Sequence, residues 1–235
     1  LYEPDGQSVS VQIDLEKRLH MYYILNQIMN PNQIAMIGVL VAFILTFLGL
    51  KFPFSFLPVD HGREFAVNGA LSKGKTRGVG LTFVCSFIIS CVLFMPMDKE
   101  YIIYCILLFA MMLSGYLDDA AKTPWSDYKK GAIDLVLSIV TFLNFNPSVL
   151  HIGSAKFALP MPVYFILAII LLWVSINVTN CSDGVDGLCG SLCCVVIAAF
   201  AVLFPQALGN YVIAALLFAA TLLAYLCFNS KPSTM

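Results

Sequence analysis

Long apolar runs separated by short polar segments dominate the pattern of this 235-residue chain. Seven runs are long enough, or nearly long enough, to cross a bilayer: 34–50, 80–97, 101–117, 131–146, 159–177, 188–205 and 211–228. They predict helices, because a segment in lipid must satisfy its backbone polar groups internally. The fourth run is the weakest, since it is short and has Asp134 near its start. We therefore predict an all-α, polytopic transmembrane helix bundle with seven spans.

Composition indicates a membrane protein and argues against a nucleic-acid partner and a zinc site. Hydrophobic residues make up 60% of the chain and charged residues 11%, against about 25% charged in a soluble domain. The net charge of -1 argues against a nucleic-acid partner, because phosphate binding needs a basic excess. Most of the eight cysteines lie inside apolar runs without C-x-x-C spacing, as expected of packing residues and not of a zinc site.

The first twenty residues differ from the rest. "SVSVQIDLEKR" alternates apolar and polar positions and shows no signal-peptide pattern. We expect residues 1–20 to be an expression-derived or disordered tail, with a short amphipathic segment as the alternative. Residues 21–235 are then one transmembrane domain.

Lysines and arginines predict the orientation, because cytoplasmic loops retain them. The four loops that carry most of these residues are 51–79, 118–130, 178–187 and 229–235. The short loops on the opposite side hold only Lys99 and Lys156, and the Lys17–Arg18 pair that opposes this count lies in the tail at 1–20. We therefore predict that the N-terminus lies outside and that the four polar loops face the cytoplasm.

The stretch "GYLDDAAK" puts two aspartates directly after the third apolar run. Asp118 and Asp119 should lie near the membrane interface, and Lys122 follows four residues after Asp118 on the same helical side. Acids at the C-terminal end of a helix oppose its macrodipole, so an adjacent pair costs stability there. An interfacial cap with an intrahelical ion pair is one interpretation, and a metal-binding or reacting pair is the other.

A second loop, "SKGKTRGVG", combines basic side chains with glycines. Lys73, Lys75 and Arg77 supply positive charge, and the glycines let the backbone approach an anionic ligand closely. The loop lacks the pattern of a Walker A motif. Taken alone, it equally fits the positive charge that flanks the cytoplasmic ends of spans.

A third loop, "NVTNCSDGVDGL", repeats polar residues at a spacing of three. At the end of a helix, the period of Asn177, Asn180, Asp183 and Asp186 aligns amide and carboxylate groups in one stripe. Mg²⁺ prefers oxygen ligands and binds through one or two carboxylates together with substrate phosphates. The three loops together predict phosphoryl chemistry on a metal-bound nucleotide, with a lipid as the second substrate.

With D-D-x-x-K followed by N-x-x-N-x-x-D-G-x-D-G-L, the chain resembles the polyprenyl-phosphate N-acetylhexosamine-1-phosphate transferases. The likeness runs from Met21 to the end and is greatest for the bacterial branch that transfers phospho-N-acetylmuramoyl-pentapeptide. It implies that undecaprenyl phosphate attacks the β-phosphate of UDP-MurNAc-pentapeptide with Mg²⁺ present, releasing UMP and forming lipid I. It also implies a multi-pass protein of the bacterial cytoplasmic membrane that forms homodimers and binds nucleoside inhibitors.

Positions that match the family motifs imply roles for individual side chains. Asp118, Asp119 and Asp183 would be the catalytic and metal-binding residues, with Asp118 as the base or activator of the lipid phosphate. The substrate-binding residues would be Lys73, Lys75, Lys122, Asn177, Asn180 and Asp186.

The chain departs from the family pattern in two places. The family's lysine loop reads closer to G-T-P-T-M-G-G than to "GKTRGVG", so either Lys73 or Lys75 fills the role of its lysine. Family members also continue into a further metal-binding aspartate, more spans and a histidine-rich loop. We therefore expect the natural protein to continue beyond Met235.

Two other functions fit parts of the pattern. A sibling enzyme that uses UDP-N-acetylglucosamine would carry the same motifs, so a substrate assay is needed to separate the two. An ion-coupled transporter would need ionisable groups at mid-membrane depth, and only Asp134 comes near that position.

Overall fold

All seven apolar runs form helices in the computed structural model of the protein, which describes residues 21–60, 74–121, 123, 125–143, 150–152, 155–157, 159–182, 185–230 and 233. In chain order the helices are α1 Met21–Leu25, α2 Pro31–Lys51, α3 Gly80–Phe94, α4 Lys99–Ala120, α5 Asp127–Leu143, α6 Met161–Ser182, α7 Leu188–Leu203, α8 Pro205–Leu208 and α9 Tyr211–Asn229. The predicted tail at 1–20 lies outside the described residues.

Length and composition mark several of these helices as membrane spans. The helices long and apolar enough to cross a bilayer are Pro31–Lys51, Lys99–Ala120, Met161–Asn180 and Tyr211–Asn229. Two apolar helices, α3 and α7, are shorter, and many large apolar side chains on the helices are exposed. The predicted all-α polytopic membrane bundle is confirmed, whereas the count of seven spans and the side that the loops face stay predictions.

Three local features differ from the expected pattern. The fourth run forms α5 at Asp127–Leu143, which begins four residues before the predicted start. Helix α6 continues to Ser182 because no glycine or proline follows Pro162 until Gly184, so Asn177 and Asn180 are helical. Strands β1 Leu150–Ile152 and β2 Ala155–Phe157 pair antiparallel where the sequence suggested a plain loop.

The start of α2 shows how the sequence fixes a helix end. Asn30 is the N-cap, and its side chain accepts a hydrogen bond from the Gln33 N–H at 2.9 Å. The Gln33 side chain accepts one from the Asn30 N–H at 3.1 Å, and Pro31 occupies the first turn. This capping box satisfies backbone donors that a helix start leaves unpaired.

Among the described residues, one compact unit comprises 21–52, Thr82–Asp98 and Gly190–Phe228. Apolar side chains fill its interior, and ring pairs such as Phe87–Phe218, with centroids 5.0 Å apart, join its helices. Gly38 is buried on α2, where Phe94 and Leu217 approach its α-carbon closely. Small residues at such crossings let membrane helices pack at short distance.

The second unit comprises the described residues within Pro53–Leu81, Lys99–Cys189 and Asn229–Met235. Within it α5 packs against α4 and α6. The indole N–H of Trp173 on α6 donates to the Gly131 carbonyl of α5 at 2.8 Å. The predicted site residues that the structure describes belong to this unit: Lys75, Asp118, Asp119, Asn177, Asn180 and Asp186.

We predict that Gly38→Ala destabilises the first unit. The added methyl would stand 2.9 Å from Phe94 Cβ and 3.1 Å from Leu217 Cδ2, so the packed helices must shift. Overpacking of this kind lowers the free energy of unfolding by about 1–3 kcal/mol, measured by titration with SDS from mild detergent. Gly115→Ala is the control, because its methyl meets no described atom within 4 Å. Equal effects of the two changes would contradict the packing argument.

Candidate active site

The end of α4 carries the two adjacent aspartates, and donors contact both oxygens of each carboxylate. For Asp118, the backbone N–H of Trp125 donates to Oδ1 at 2.8 Å, and Lys130 Nζ lies 2.7 Å from Oδ2. For Asp119, Arg77 Nη2 lies 3.2 Å from Oδ1, and the Gly78 N–H donates to Oδ2 at 3.2 Å. These contacts offset the unfavourable field that a helix C-terminus exerts on a carboxylate.

Lys130, the cation that pairs with Asp118, lies in the first turn of α5. The chain turns back after α4, which brings the Trp125 N–H and Lys130 onto the same carboxylate. The neighbouring Lys129 places its ammonium 3.4 Å from the centroid of the Trp125 ring. The 33% exposure of the Lys130 side chain leaves this ion pair within reach of solvent and ligands.

The cation on Asp119 comes from a loop whose backbone is fixed at several points. Val59 and Thr76 form an isolated antiparallel bridge, and the Arg77 N–H donates to the Pro58 carbonyl at 2.7 Å. The Asp60 N–H donates to the Lys75 carbonyl at 2.8 Å, so two stretches of loop run side by side. These hydrogen bonds fix the backbone position from which Arg77 reaches Asp119.

Gly78 is required at the point where this loop meets α4. Its φ is +67°, and a Cβ there would stand 2.9 Å from the Tyr116 ring and 3.2 Å from Pro58. The Tyr116 hydroxyl also donates to the Phe56 carbonyl at 3.2 Å. The absent side chain lets the Gly78 N–H reach Asp119.

The third loop joins the same unit through two contacts. Lys75 Nζ lies 4.0 Å from Asp186 Oδ2, and their side chains are 27% and 41% exposed, so the attraction is weak. The Gly187 N–H, at a residue with φ +77°, donates to Asn229 Oδ1 at 2.8 Å. Segments far apart in sequence therefore converge in this unit.

The two predicted asparagines lie on the last turns of α6. The Asn177 side chain donates to the Trp173 carbonyl of its own helix at 2.8 Å, and Asn180 is exposed. Their spacing of three puts both on one side of the helix, as the sequence predicted. Lys73, Lys122 and Asp183 lie outside the described residues, so their predicted positions stay predictions.

Sequence reasoning missed the partners that hold the aspartates. Arg77 was noted only as a charge of the glycine loop, and Lys130 and Trp125 were not singled out. The sequence put Lys122 on the same helical side as Asp118, which stays a prediction, and the structure pairs Asp118 with Lys130. The excess of basic residues in these loops was the only available signal.

The aspartate pair fits a hard divalent cation in its chemistry. Carboxylate oxygens are the preferred ligands of Mg²⁺, and each oxygen accepts more than one interaction. Among the described residues, no group of three His, Cys, Asp or Glu forms a complete metal site. A metal at Asp118 and Asp119 would compete with Lys130 and Arg77 for the carboxylates.

We predict that Gly78→Ala lowers stability more than Gly74→Ala does. Both glycines have positive φ, and an alanine there costs about 1–2 kcal/mol. Only at Gly78 does the methyl also collide with Tyr116 and Pro58, whereas at Gly74 it meets no described atom within 4 Å. SDS titration should therefore show the larger loss for Gly78→Ala. A larger loss for Gly74→Ala would contradict the proposed close approach.

Comparison with known proteins identifies the family. Residues 101–235 match glycosyl transferase family 4. The chain is 30% identical to the phospho-N-acetylmuramoyl-pentapeptide-transferase of Treponema pallidum (strain Nichols) over 244 residues, which cover 92% of this chain and 67% of that protein. The protein of the same name from Oceanobacillus iheyensis is 24% identical over 84% of this chain and 68% of its own length.

The match covers the third apolar run, both aspartate motifs and the helices between them. The chain spans about two thirds of the length of these relatives. The resemblance seen in the aspartate motifs is thereby confirmed, and the chain belongs to the glycosyl transferase family 4 enzymes.

Proposed function

We propose that this chain transfers phospho-N-acetylmuramoyl-pentapeptide from its UDP-linked form to undecaprenyl phosphate, releasing UMP and forming lipid I of peptidoglycan synthesis. The names of the relatives support this reaction. The observation that carries the proposal is the pair of carboxylates at the end of a membrane-length helix, surrounded by cations. Such a site lies where a lipid head group and a water-soluble nucleotide can meet.

The reaction is a phosphoryl transfer between two anions. An oxygen of the lipid phosphate attacks the β-phosphorus of the UDP-sugar and forms a new P–O bond. The bond from that phosphorus to the oxygen shared with the α-phosphate breaks, and UMP leaves with the electron pair. Because both reactants are anionic, charge neutralisation and in-line alignment lower the barrier more than deprotonation does.

Asp118 is the proposed base or activator for the lipid phosphate, and Asp119 helps to hold Mg²⁺ or the pyrophosphate. Their position at the end of α4 puts them at the membrane interface if this helix spans the bilayer. Lys130 and the Trp125 N–H orient the Asp118 carboxylate. Exposure of 20% keeps Asp118 partly shielded, so its interactions are stronger than in bulk water.

Mg²⁺ is the proposed cofactor, with Asp118, Asp119 and Asp183 as its protein ligands. Bound there, the metal would neutralise charge on the diphosphate. The hard oxygen donors of the aspartate pair support this assignment.

The proposed substrate-binding residues lie before and after the aspartate pair in the sequence. Those that the structure describes belong to the same compact unit as the pair. Lys75 and Asp186 approach each other, which supports a shared role at the sugar-nucleotide. The α6 end offers amide groups to the nucleoside or sugar. The proposed set is Lys73, Lys75, Lys122, Asn177, Asn180 and Asp186.

The loop charges support a cytoplasmic site in a bacterial inner membrane, with the N-terminus outside. This orientation matches a reaction whose soluble donor is a UDP-linked sugar. Homodimer formation and binding of nucleoside inhibitors are included in the proposal only through the family resemblance.

Asp118→Asn should lower turnover by about two to four orders of magnitude while leaving the affinity for the UDP-sugar within a few fold. The neutral amide keeps the shape but can neither accept a proton nor neutralise a cation. Release of UMP by purified protein measures turnover, and calorimetry measures binding. Asp98→Asn is the matched control, since Asp98 is exposed just before the opposite end of α4. Near-normal turnover of Asp118→Asn would remove this residue from the mechanism.

The donor is tested by offering UDP-MurNAc-pentapeptide and UDP-N-acetylglucosamine separately, each with undecaprenyl phosphate and Mg²⁺. We expect UMP release only from the pentapeptide donor. Release only from UDP-N-acetylglucosamine would replace the proposed substrate with that of the sibling enzymes.

A further inference from the structure

We propose that Arg77 is a cation that exchanges partners during the reaction cycle: it holds Asp119 before a divalent metal binds, and it binds the substrate diphosphate once the metal takes Asp119. The proposal rests on the proposed function for the identity of the diphosphate. Arg77 would be an additional binding residue of the site. The pattern G-T-P-T-M-G-G of the family's lysine loop contains no arginine.

The first support is the way the loop holds Asp119. Arg77 Nη2 contacts one oxygen at 3.2 Å while the Gly78 N–H donates to the other at 3.2 Å. Two adjacent residues of one loop thus occupy the carboxylate that the metal is proposed to use. A metal that binds Asp119 through Oδ1 has to displace the guanidinium or accept its repulsion at short range.

The second support is the balance of charge. Among the described ion pairs of this unit, four carboxylates face three cations, and each of these cations is paired with a carboxylate. These described ion pairs therefore carry no excess positive charge of their own for an incoming diphosphate. A metal that takes a carboxylate releases its cation, and the cation can then pair with a phosphate oxygen.

The third support is the geometry of Arg77 itself. The hydrogen bond from its N–H to the Pro58 carbonyl at 2.7 Å fixes its backbone, whereas its side chain is 30% exposed. Asp60 Oδ2 lies 4.0 Å from Arg77 Nε, so a second carboxylate retains the guanidinium near the site after Asp119 is taken. The planar guanidinium has five donors and binds phosphate oxygens in a bidentate manner.

Alternative roles for Arg77 predict different measurements. If Arg77 only tied the loop to α4, its removal would weaken the site for every ligand. If Arg77 stayed on Asp119 throughout, its removal would shift metal and diphosphate binding in opposite directions through its charge alone, and Arg77→Lys would behave like the wild type. Partner exchange predicts in addition that the pyrophosphate Kd rises in Arg77→Lys, because the bidentate contact with the phosphate is lost.

The test uses the full chain in lipid nanodiscs and compares Arg77→Gln with the wild type. Mn²⁺ binding is followed by electron paramagnetic resonance, and pyrophosphate binding is followed by equilibrium dialysis at saturating Mg²⁺. We expect the Kd for Mn²⁺ to fall two- to fivefold, about the worth of a partly exposed ion pair. We expect the Kd for pyrophosphate to rise about tenfold or more, because a charge-assisted contact is lost.

Lys99→Gln is the matched control, because it removes an exposed cation at the other end of α4 and should change neither constant. Arg77→Lys separates partner exchange from a permanent pair with Asp119, and it also serves if Arg77→Gln fails to fold. The lysine keeps the charge but loses the bidentate fork, so the pyrophosphate Kd should rise while the Mn²⁺ Kd should not.

Unchanged constants, a parallel weakening of both ligands, pyrophosphate binding by Arg77→Lys equal to that of the wild type, or wild-type protein that binds no Mn²⁺ would overturn the proposal. Because neither probe contains uridine or sugar, this outcome is separate from the proposed function. Opposite shifts in Arg77→Gln and a raised pyrophosphate Kd in Arg77→Lys, without turnover of UDP-MurNAc-pentapeptide, would support the exchange and reject the proposed substrate.

Discussion

Two neighbouring carboxylates at the C-terminal end of α4 impose the main electrostatic constraint on this protein. The last carbonyls of a helix already carry partial negative charge, and a nearby bilayer weakens solvent screening. The pair therefore needs counter-charges, which Arg77 supplies to Asp119 and Lys130 to Asp118. The loop before α3 brings Arg77 to Asp119. The turn between α4 and α5 brings Lys130 to Asp118.

Backbone geometry determines which cation reaches which carboxylate. The bridge between Val59 and Thr76 fixes the loop, and the positive φ of Gly78 lets its N–H and the Arg77 side chain approach Asp119 together. The Arg77–Asp119 pair is partly exposed, and exposed ion pairs add little stability. In the proposed exchange, a metal takes the Asp119 carboxylate and Arg77 pairs with a phosphate oxygen.

Helix length connects this cluster with the membrane. Helix α4 has 22 residues and is about 33 Å long, slightly more than the hydrocarbon core of a bilayer. An apolar helix of this length can cross the core and still bring Asp118 and Asp119 to the interface. A phosphate on a lipid and a phosphate on a soluble nucleotide can both reach that depth, which is the requirement of the proposed transfer.

The sequence by itself determined the helical membrane class, the seven helical segments and the two aspartate motifs, because apolar runs and motif spacing are local properties. It placed α5 four residues late and ended α6 too soon, since a helix end depends on nearby breakers and contacts. The pairs Arg77–Asp119, Lys130–Asp118 and Lys75–Asp186 required the tertiary structure. Spacing along the chain does not reveal which distant cation reaches a carboxylate, because loop conformation and helix packing decide that distance.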